Sequence, residues 1–429
     1  MRGALNLFQA TMLRWRSRHP YNAAHAARVD APLDEARLRS TVAATLEAAG
    51  LAGYVLDARR GRYEWSGGAA EVALDVVRSA PSVDESLRAT IERTLEAAFP
   101  RDGGYCPFRF HVVVDVDAFW LVLAYDHLIA GGDSAAALLG AICAGYLGGP
   151  PPVRLERHPA RYRRLVLRHP WRCVEAAALL PRLAARAKRA RRAPGLEIRD
   201  GRNAFLTASL DAAAVERMAG VAKRCAATRN DVLMAAVARA VAPLRPEPAP
   251  GARRYEIGVA SIVNIRRDCA GPAGRVFGQF LSSFRAAYRD PAGAPLDDVV
   301  RAMHAESRDV RAKRRYLRSL LAIALSGLAW RVVRDDMRDS LFAKHYPVWA
   351  GVTSLSLPGL WDAMAPQAGR CPEGYRRGVS TGPLAPIVVA ATFTGASLEL
   401  GVSFRPAVVA EPEARAALDR LVASLQHLS

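Results

Sequence analysis

Apolar positions recur along the chain at two spacings, one helical and one extended. Residues 25–31 read as a strand. Pro32-Leu33-Asp34 then opens a helix, and Leu38, Val42, Leu46 and Leu51 fall on one face of it. Tyr54 to Trp65 reads as a hairpin. Ser82 to Phe99 is a second amphipathic helix, with Ser82 as N-cap and Asp84-Glu85 in its first turn. Phe108 to Asp115 and Ala118 to Tyr125 are almost continuously apolar, the mark of strands buried inside a sheet. The second runs into a Gly-rich loop, and a helix follows over 134–147.

The breaker Gly148-Gly149-Pro-Pro-Pro152 ends this first part. After it, residues 154–202 carry fourteen arginines and one lysine, and Leu165, Leu167, Val174, Leu179, Leu180 and Leu183 trace two helical pieces. The pattern then resumes. A strand is predicted from Ala204 to Leu210, a helix near 211–225 and a helix opened by Thr228. Strands follow at Tyr255–Ile265 and Gly278–Tyr288, and Leu296 to Met337 is largely helical. Val348–Ser356 and Pro386–Phe404 hold three more strands, the last two joined by Gly395-Ala396. Helix 411–426 closes the chain. Strands and helices mix without strict alternation, so the class is α/β (α+β). The expected organisation is an N-terminal half, 1–152, a basic crossover, 153–202, and a C-terminal half, 203–429.

Composition narrows the partners. The 429 residues carry a net charge of +19, nearly all of it arginine, since only Lys188, Lys223, Lys313 and Lys344 are lysines. Such a field attracts phosphates, acidic proteins and anionic lipid surfaces. The basic crossover has three readings: a solvated arginine-rich face, a dock for an acidic protein or a phosphate-bearing molecule, and peripheral contact with a membrane. Nucleic acid is not expected, because the region shows little aromatic interleaving and no zinc-finger or RNP pattern. The apolar run Ser319–Trp330 is twelve residues, short of the roughly 18–20 that span a bilayer. The first twenty residues hold four arginines but no apolar core or small-residue cleavage site, so they read as the first structured element. No two of the six cysteines are closer than 30 residues; reduced thiols and a cytoplasmic location, at most peripheral to the inner membrane surface, are expected.

The chemistry concentrates at Asp126-His127-Leu-Ile-Ala-Gly131-Gly132-Asp133-Ser134. Imidazole titrates near neutrality, and a strand-end loop can present His127 to a cleft as a general base. The plain alternative is a hydrogen-bonded loop histidine. His111 reads as a core residue. His25, His304 and His345 have no ligand-spaced partner and HExxH is absent, so no metal is expected. No Ser or Cys reads as a nucleophile on a strand-to-helix elbow, and no acyl-enzyme is expected.

The loop, after a hydrophobic strand and before a helix, resembles the HHxxxDG loop of the chloramphenicol-acetyltransferase-like superfamily. That superfamily includes nonribosomal peptide synthetase condensation domains, wax ester synthase/diacylglycerol acyltransferases, BAHD and polyketide-associated acyltransferases. Further segments are similar in order and spacing: Gln9 to His25 with Pro32-Leu33-Asp34, Ala227 to Ala236, Val263-Asn-Ile-Arg266, Gly278-Gln-Phe-Leu-Ser282 and Thr353 to Gly359. Asp126 stands where the first His is usual, and Gly131 where the motif Asp is usual.

The resemblance implies two chloramphenicol-acetyltransferase-like halves, each a mixed sheet with flanking helices, with a tunnel between them. An acyl group would pass from an acyl-coenzyme A or phosphopantetheinyl thioester to a hydroxyl or amine acceptor, with no permanently bound cofactor, and the basic crossover would dock an acidic acyl or peptidyl carrier protein or the coenzyme A phosphates. His127 would be the base. Asp126 or Asp133 would brace the loop through Arg266. Gly131, Gly132, Ser134, Ser354 and Ser356 are candidate oxyanion or substrate contacts, each serine also readable as an ordinary strand or turn residue. The departures leave a second reading: a catalytically degenerate protein that scaffolds acyl carrier proteins.

Overall fold

A computed structural model describes residues 1–78, 82–149, 156–157, 162–196, 198–244, 252–269, 276–339, 345–364, 374–395 and 397–428. Parts of the breaker and of the basic crossover, Cys371 and Ala396 lie outside the described residues. Two large sheets organise the chain. One has five strands in the order Tyr375–Val379, Asn22–Val29, Phe119–Asp126, Phe108–Val114, Leu74–Arg78. The other has six: Ala204–Leu210, Leu398–Phe404, Ile387–Phe393, Ala350–Ser356, Ile257–Asn264, Leu281–Tyr288. Both are mixed. The first is antiparallel apart from the Leu74–Arg78 edge, and the second has parallel pairing on both sides of Ala350–Ser356.

The continuous apolar strand Phe119–Asp126 is buried at every position, between Asn22–Val29 and Phe108–Val114. It delivers the Asp126–Ser134 loop from the middle of the sheet, and helix Gly132–Tyr146 leaves from that loop. Asn22–Val29 begins three residues before its predicted start. Its first residues are small alanines that carry little hydropathy yet are fully buried under helix Val83–Glu96.

Strand Tyr375–Val379 crosses from the C-terminal part of the chain to complete the first sheet, pairing antiparallel with Asn22–Val29. It also runs over Leu398–Phe404. A Cβ at Gly401 would sit 2.0 Å from the Arg377 carbonyl oxygen, so only glycine permits this crossing. The sequence pattern did not show this strand, because its five residues, Tyr-Arg-Arg-Gly-Val, carry no clean alternation.

Two predicted helical stretches are divided. The basic crossover contains three helices, Tyr162–Arg168, Pro170–Ala178 and Leu180–Arg189, and Pro170 and Pro181 start the second and third. Leu296–Met337 breaks into Leu296–Ala312 and Tyr316–Val332, with Arg314 at φ 51° between them. Thr228 opens helix Arg229–Val241 as expected, and with Asp231 it forms a capping box there. None of the described helices is long and apolar enough to cross a membrane.

Candidate active site

His127 lies at the end of the central strand, 7% exposed. Its ring stacks on Tyr21, with centroids 5.4 Å apart and planes at 15°, and meets Tyr125 edge-on at 5.7 Å. Nδ1 lies 3.0 Å from the Ala130 carbonyl, which can only accept. That bond places the proton on Nδ1 and leaves a lone pair on Nε2. Burial is the largest influence on the imidazole and pushes its pKa down to about 4, opposed by the Ala130 bond and assisted by Arg377. The ring is therefore neutral at physiological pH.

Amide side chains clamp the loop. Gln279 Nε2 donates to the His127 carbonyl at 3.1 Å, Gln9 Nε2 to the Leu128 carbonyl at 2.9 Å, and Asn6 Nδ2 to the Gln279 carbonyl at 3.0 Å. Asn6 and Gln9 are also the capping box of helix Leu7–Arg16, so the N-terminal helix and the loop hold one another.

The two carboxylates flanking His127 face different cations. Asp133 Oδ2 accepts from Arg266 Nη2 at 2.8 Å and Nε at 3.0 Å, and from Asn264 Nδ2 at 2.8 Å. Asp126 does not approach Arg266. It pairs with Arg16, accepts from the Tyr105 hydroxyl at 2.7 Å, and receives the Leu128 N–H at 3.1 Å. The reason is strand alternation: Asp126 ends the strand on the opposite side from the helix that carries Asp133. Asp126 thus steadies the loop from behind, through the N-terminal helix.

The structure corrects three of the candidate oxyanion contacts. Gly131 N–H is spent on the Gly278 carbonyl at 3.1 Å. Ser134 Oγ accepts from Arg266 Nη2 at 2.8 Å and from Gly278 N–H at 3.2 Å, so it is a buried strut. Ser356 is exposed and lies beyond the cavity lining. Gly132 and Ser354 remain at the cavity, Ser354 with its hydroxyl donating to Asn230 Oδ1 at 2.8 Å.

A cavity of about 170 Å³ lies between the two sheets. His127, Tyr21 and Tyr125 line one wall; Ala260, Val352 and Leu281 line the other. Two residues there carry chemistry that the sequence reading missed. His25, taken as structural, sits on the same wall, fully buried, with Nδ1 2.6 Å from the Tyr375 hydroxyl. Arg377, on the crossing strand, is 3% exposed and lines the cavity too. The signal in the sequence was slight: an arginine pair, Arg376-Arg377, between Tyr375 and Gly378 in a five-residue strand.

A G-x-S-x-G pattern does occur, Gly378-Val-Ser380-Thr-Gly382, and Ser380 reaches the cavity. It is no nucleophile elbow. The strand runs into a turn at Gly382, not a helix, and Ser380 Oγ donates to the Leu95 carbonyl at 3.1 Å while accepting the Asn22 N–H at 3.2 Å.

No protein-family model matches the chain, and no curated protein does. Solved structures do. The first condensation domain of the calcium-dependent antibiotic synthetase, in complex with a substrate analogue, superposes at TM-score 0.70 with 16% identity, over 100% of this chain and 97% of that one. The starter condensation domain of rhizomide synthetase, in complex with C8-CoA, gives 0.68 at 13% identity, over 100% and 94%. The X-domain from teicoplanin biosynthesis, in its complex with OxyB, gives 0.56 at 17%, over 99% and 93%. The two mixed sheets and their flanking helices therefore form a condensation-domain fold.

Proposed function

We propose that the chain is an acyltransferase that moves an acyl group from a thioester to a hydroxyl or amine. The observation that carries this is His127: its Nδ1–H is fixed on Ala130, and its neutral ring stands in a cavity between two sheets. In the reaction Nε2 takes the acceptor's proton as its oxygen or nitrogen bonds to the thioester carbonyl carbon. The tetrahedral intermediate collapses with loss of the C–S bond, and His127 returns the proton to the leaving thiolate. Holding both reactants at one imidazole makes the attack effectively unimolecular. The Gly132 N–H, at the start of its helix and on the cavity lining, would serve as the backbone donor for the oxyanion. The two halves, 1–152 and 203–429, would admit donor and acceptor from opposite faces. The donor is an acyl-coenzyme A or an acyl group on a carrier protein, and the arginine-rich crossover suits the acidic surface of either.

The test is thiol release from a panel of acyl-coenzyme A and acyl-carrier thioesters with pooled alcohols and amines. We expect release that needs an acceptor and falls roughly 10²–10⁴-fold in His127→Ala, the range for loss of a general base. Unchanged turnover in that variant removes His127 from the mechanism.

A second reading rests on Asp126. With Arg16 and Tyr105 around it, it is a structural carboxylate where the resembled motif has histidine, and the X-domain that shares the fold is seen with OxyB. On this reading the protein docks a partner without chemistry. Carrier-protein binding in the absence of any thiol release would favour it.

A further inference from the structure

Among the buried polar atoms of the cavity wall that lack a hydrogen-bond partner among the described residues, three lie together: Arg377 Nε, His25 Nε2 and the Tyr125 hydroxyl. Such groups are rare in folded proteins, and each costs free energy when left unmet. Here all three belong to residues lining one cavity. Arg377 Nη2 donates to the carbonyls of Thr353 at 2.5 Å and Ala391 at 2.9 Å, which fixes the plane of the guanidinium. Its Nε has no acceptor among the described residues, and no carboxylate among them lies within 4 Å of the guanidinium. Among the described residues the guanidinium is thus a buried cation without a counter-ion, and an uncompensated buried charge is costly to a fold.

The neighbours point the same way. A Cβ built on Gly132 would lie 3.1 Å from Arg377 Nη1 and 3.7 Å from His25 Nε2, so these two nitrogens converge over the bare glycine beside His127. The Tyr375 hydroxyl, 2.6 Å from His25 Nδ1, can donate to it, which leaves the proton on Nε2 and turns that edge of His25 into a donor. Arg377, His25 and Tyr125 then present N–H, N–H and O–H to one space. Asp133, the one acid among the described residues that line the cavity, is paired with Arg266 instead.

We infer that this wall is a carboxylate-recognition subsite, so that the small molecule that meets His127 is a carboxylic acid whose carboxylate is held by the Arg377 fork, with His25 and Tyr125 completing its acceptor bonds. Arginine suits a planar carboxylate because its N–H groups bind both oxygens at once. The inference rests on the acyl-transfer reading for what the molecule does, but not for its binding.

Binding is therefore measured without turnover. The full chain is titrated calorimetrically with hydroxy and amino acids (glycolate, lactate, 4-hydroxybenzoate, glycine), with their primary amides, and with inorganic phosphate. Acyl donors are offered as plain alkanoyl thioesters and as half-thioesters of dicarboxylic acids, which separates a carboxylate on the acceptor from one on the acyl chain. We expect at least one acid to bind tenfold or more tighter than its amide, and Arg377→Gln to erase that preference. Arg377→Lys, which keeps the charge but not the fork, should retain part of it and serves if the Gln variant does not fold. Acids and amides of equal affinity, no binding by any acid, an acid preference that survives in Arg377→Gln, or phosphate preferred to every carboxylate would each overturn the inference. Carboxylate binding without thiol release would sink the transfer reading and leave the subsite standing.

Discussion

The Asp133 carboxylate and the Arg266 guanidinium tie the start of the helix after the His127 loop to the segment that follows strand Ile257–Asn264, at 2.8 and 3.0 Å. The Arg266 side chain is 2% exposed and stands over the Phe280 ring, its centre 4.5 Å away. Removing the carboxylate leaves a buried cation. Breaking one side of such a pair costs about 3–5 kcal/mol. We expect Asp133→Ala to lose stability in that range in urea unfolding. A loss under about 1 kcal/mol would show that the pair is not needed to hold the loop.

How much of this was legible in the sequence differs by residue. His127 and Asp133 were, because a buried strand, a glycine pair and a helix start frame them in one contiguous run. The Asp126–Arg16 pair was not. It spans 110 positions, and which face a strand-end carboxylate takes depends on the register of the whole sheet. His25 and Arg377 escaped for the same reason: they meet through pairing of Tyr375–Val379 with Asn22–Val29, in which Arg377 stands opposite His25. Neither segment carries any local sign of the other.

The depressed pKa of His127 sets a pH dependence. In the unfolded chain the imidazole binds its proton near 6.5, and in the folded protein near 4. Between those values the unfolded state holds more protons, so stability falls as the pH is lowered from about 6.5 to about 4. His19, buried beside Arg405, is pushed down to about 4 as well and adds to the slope. Each contributes a loss on the order of 3 kcal/mol at most. Urea unfolding at pH 7.5, 6, 5 and 4 should show the decline, and a shallower one in His127→Ala. A stability flat over that window would contradict a neutral, buried His127.

The same shift predicts the activity profile. A base that is already neutral needs no deprotonation at physiological pH. The kcat/KM for transfer should therefore stay level from pH 8 to about 5 and fall only as the pH nears 4. A limb with an apparent pKa near 6.5 that vanishes in His127→Ala would mean that the ring is solvated in the working enzyme.

Gly401 is the point at which the fold and the cavity depend on a single missing methyl group. The Arg377 carbonyl oxygen would lie 2.0 Å from its Cβ, and the obstructing atom is backbone, which cannot rotate away. We expect Gly401→Ala to cost at least about 3 kcal/mol, at the upper end of overpacking, by lifting strand Tyr375–Val379 from its partner. Gly220, whose Cβ meets nothing within 4 Å, is the control, and alanine there should be tolerated or mildly stabilising in its helix. Equal effects at both sites would refute the crossing.

Ser380 separates direct transfer from a covalent route. It sits in a G-x-S-x-G pattern at the cavity, yet its hydroxyl is already committed to the Leu95 carbonyl and the Asn22 N–H. A serine nucleophile needs a base within hydrogen-bond reach of Oγ, and no histidine is bonded to it. In direct transfer the acyl group never leaves its thioester except for the acceptor. We therefore expect intact-protein mass spectrometry after incubation with donor alone to show no added acyl mass. Ser380→Ala should retain transfer within a few-fold and lose about 1 kcal/mol of stability with its two buried bonds. An acyl adduct mapped to Ser380, together with loss of turnover in the alanine variant, would replace the single-step mechanism with a ping-pong one.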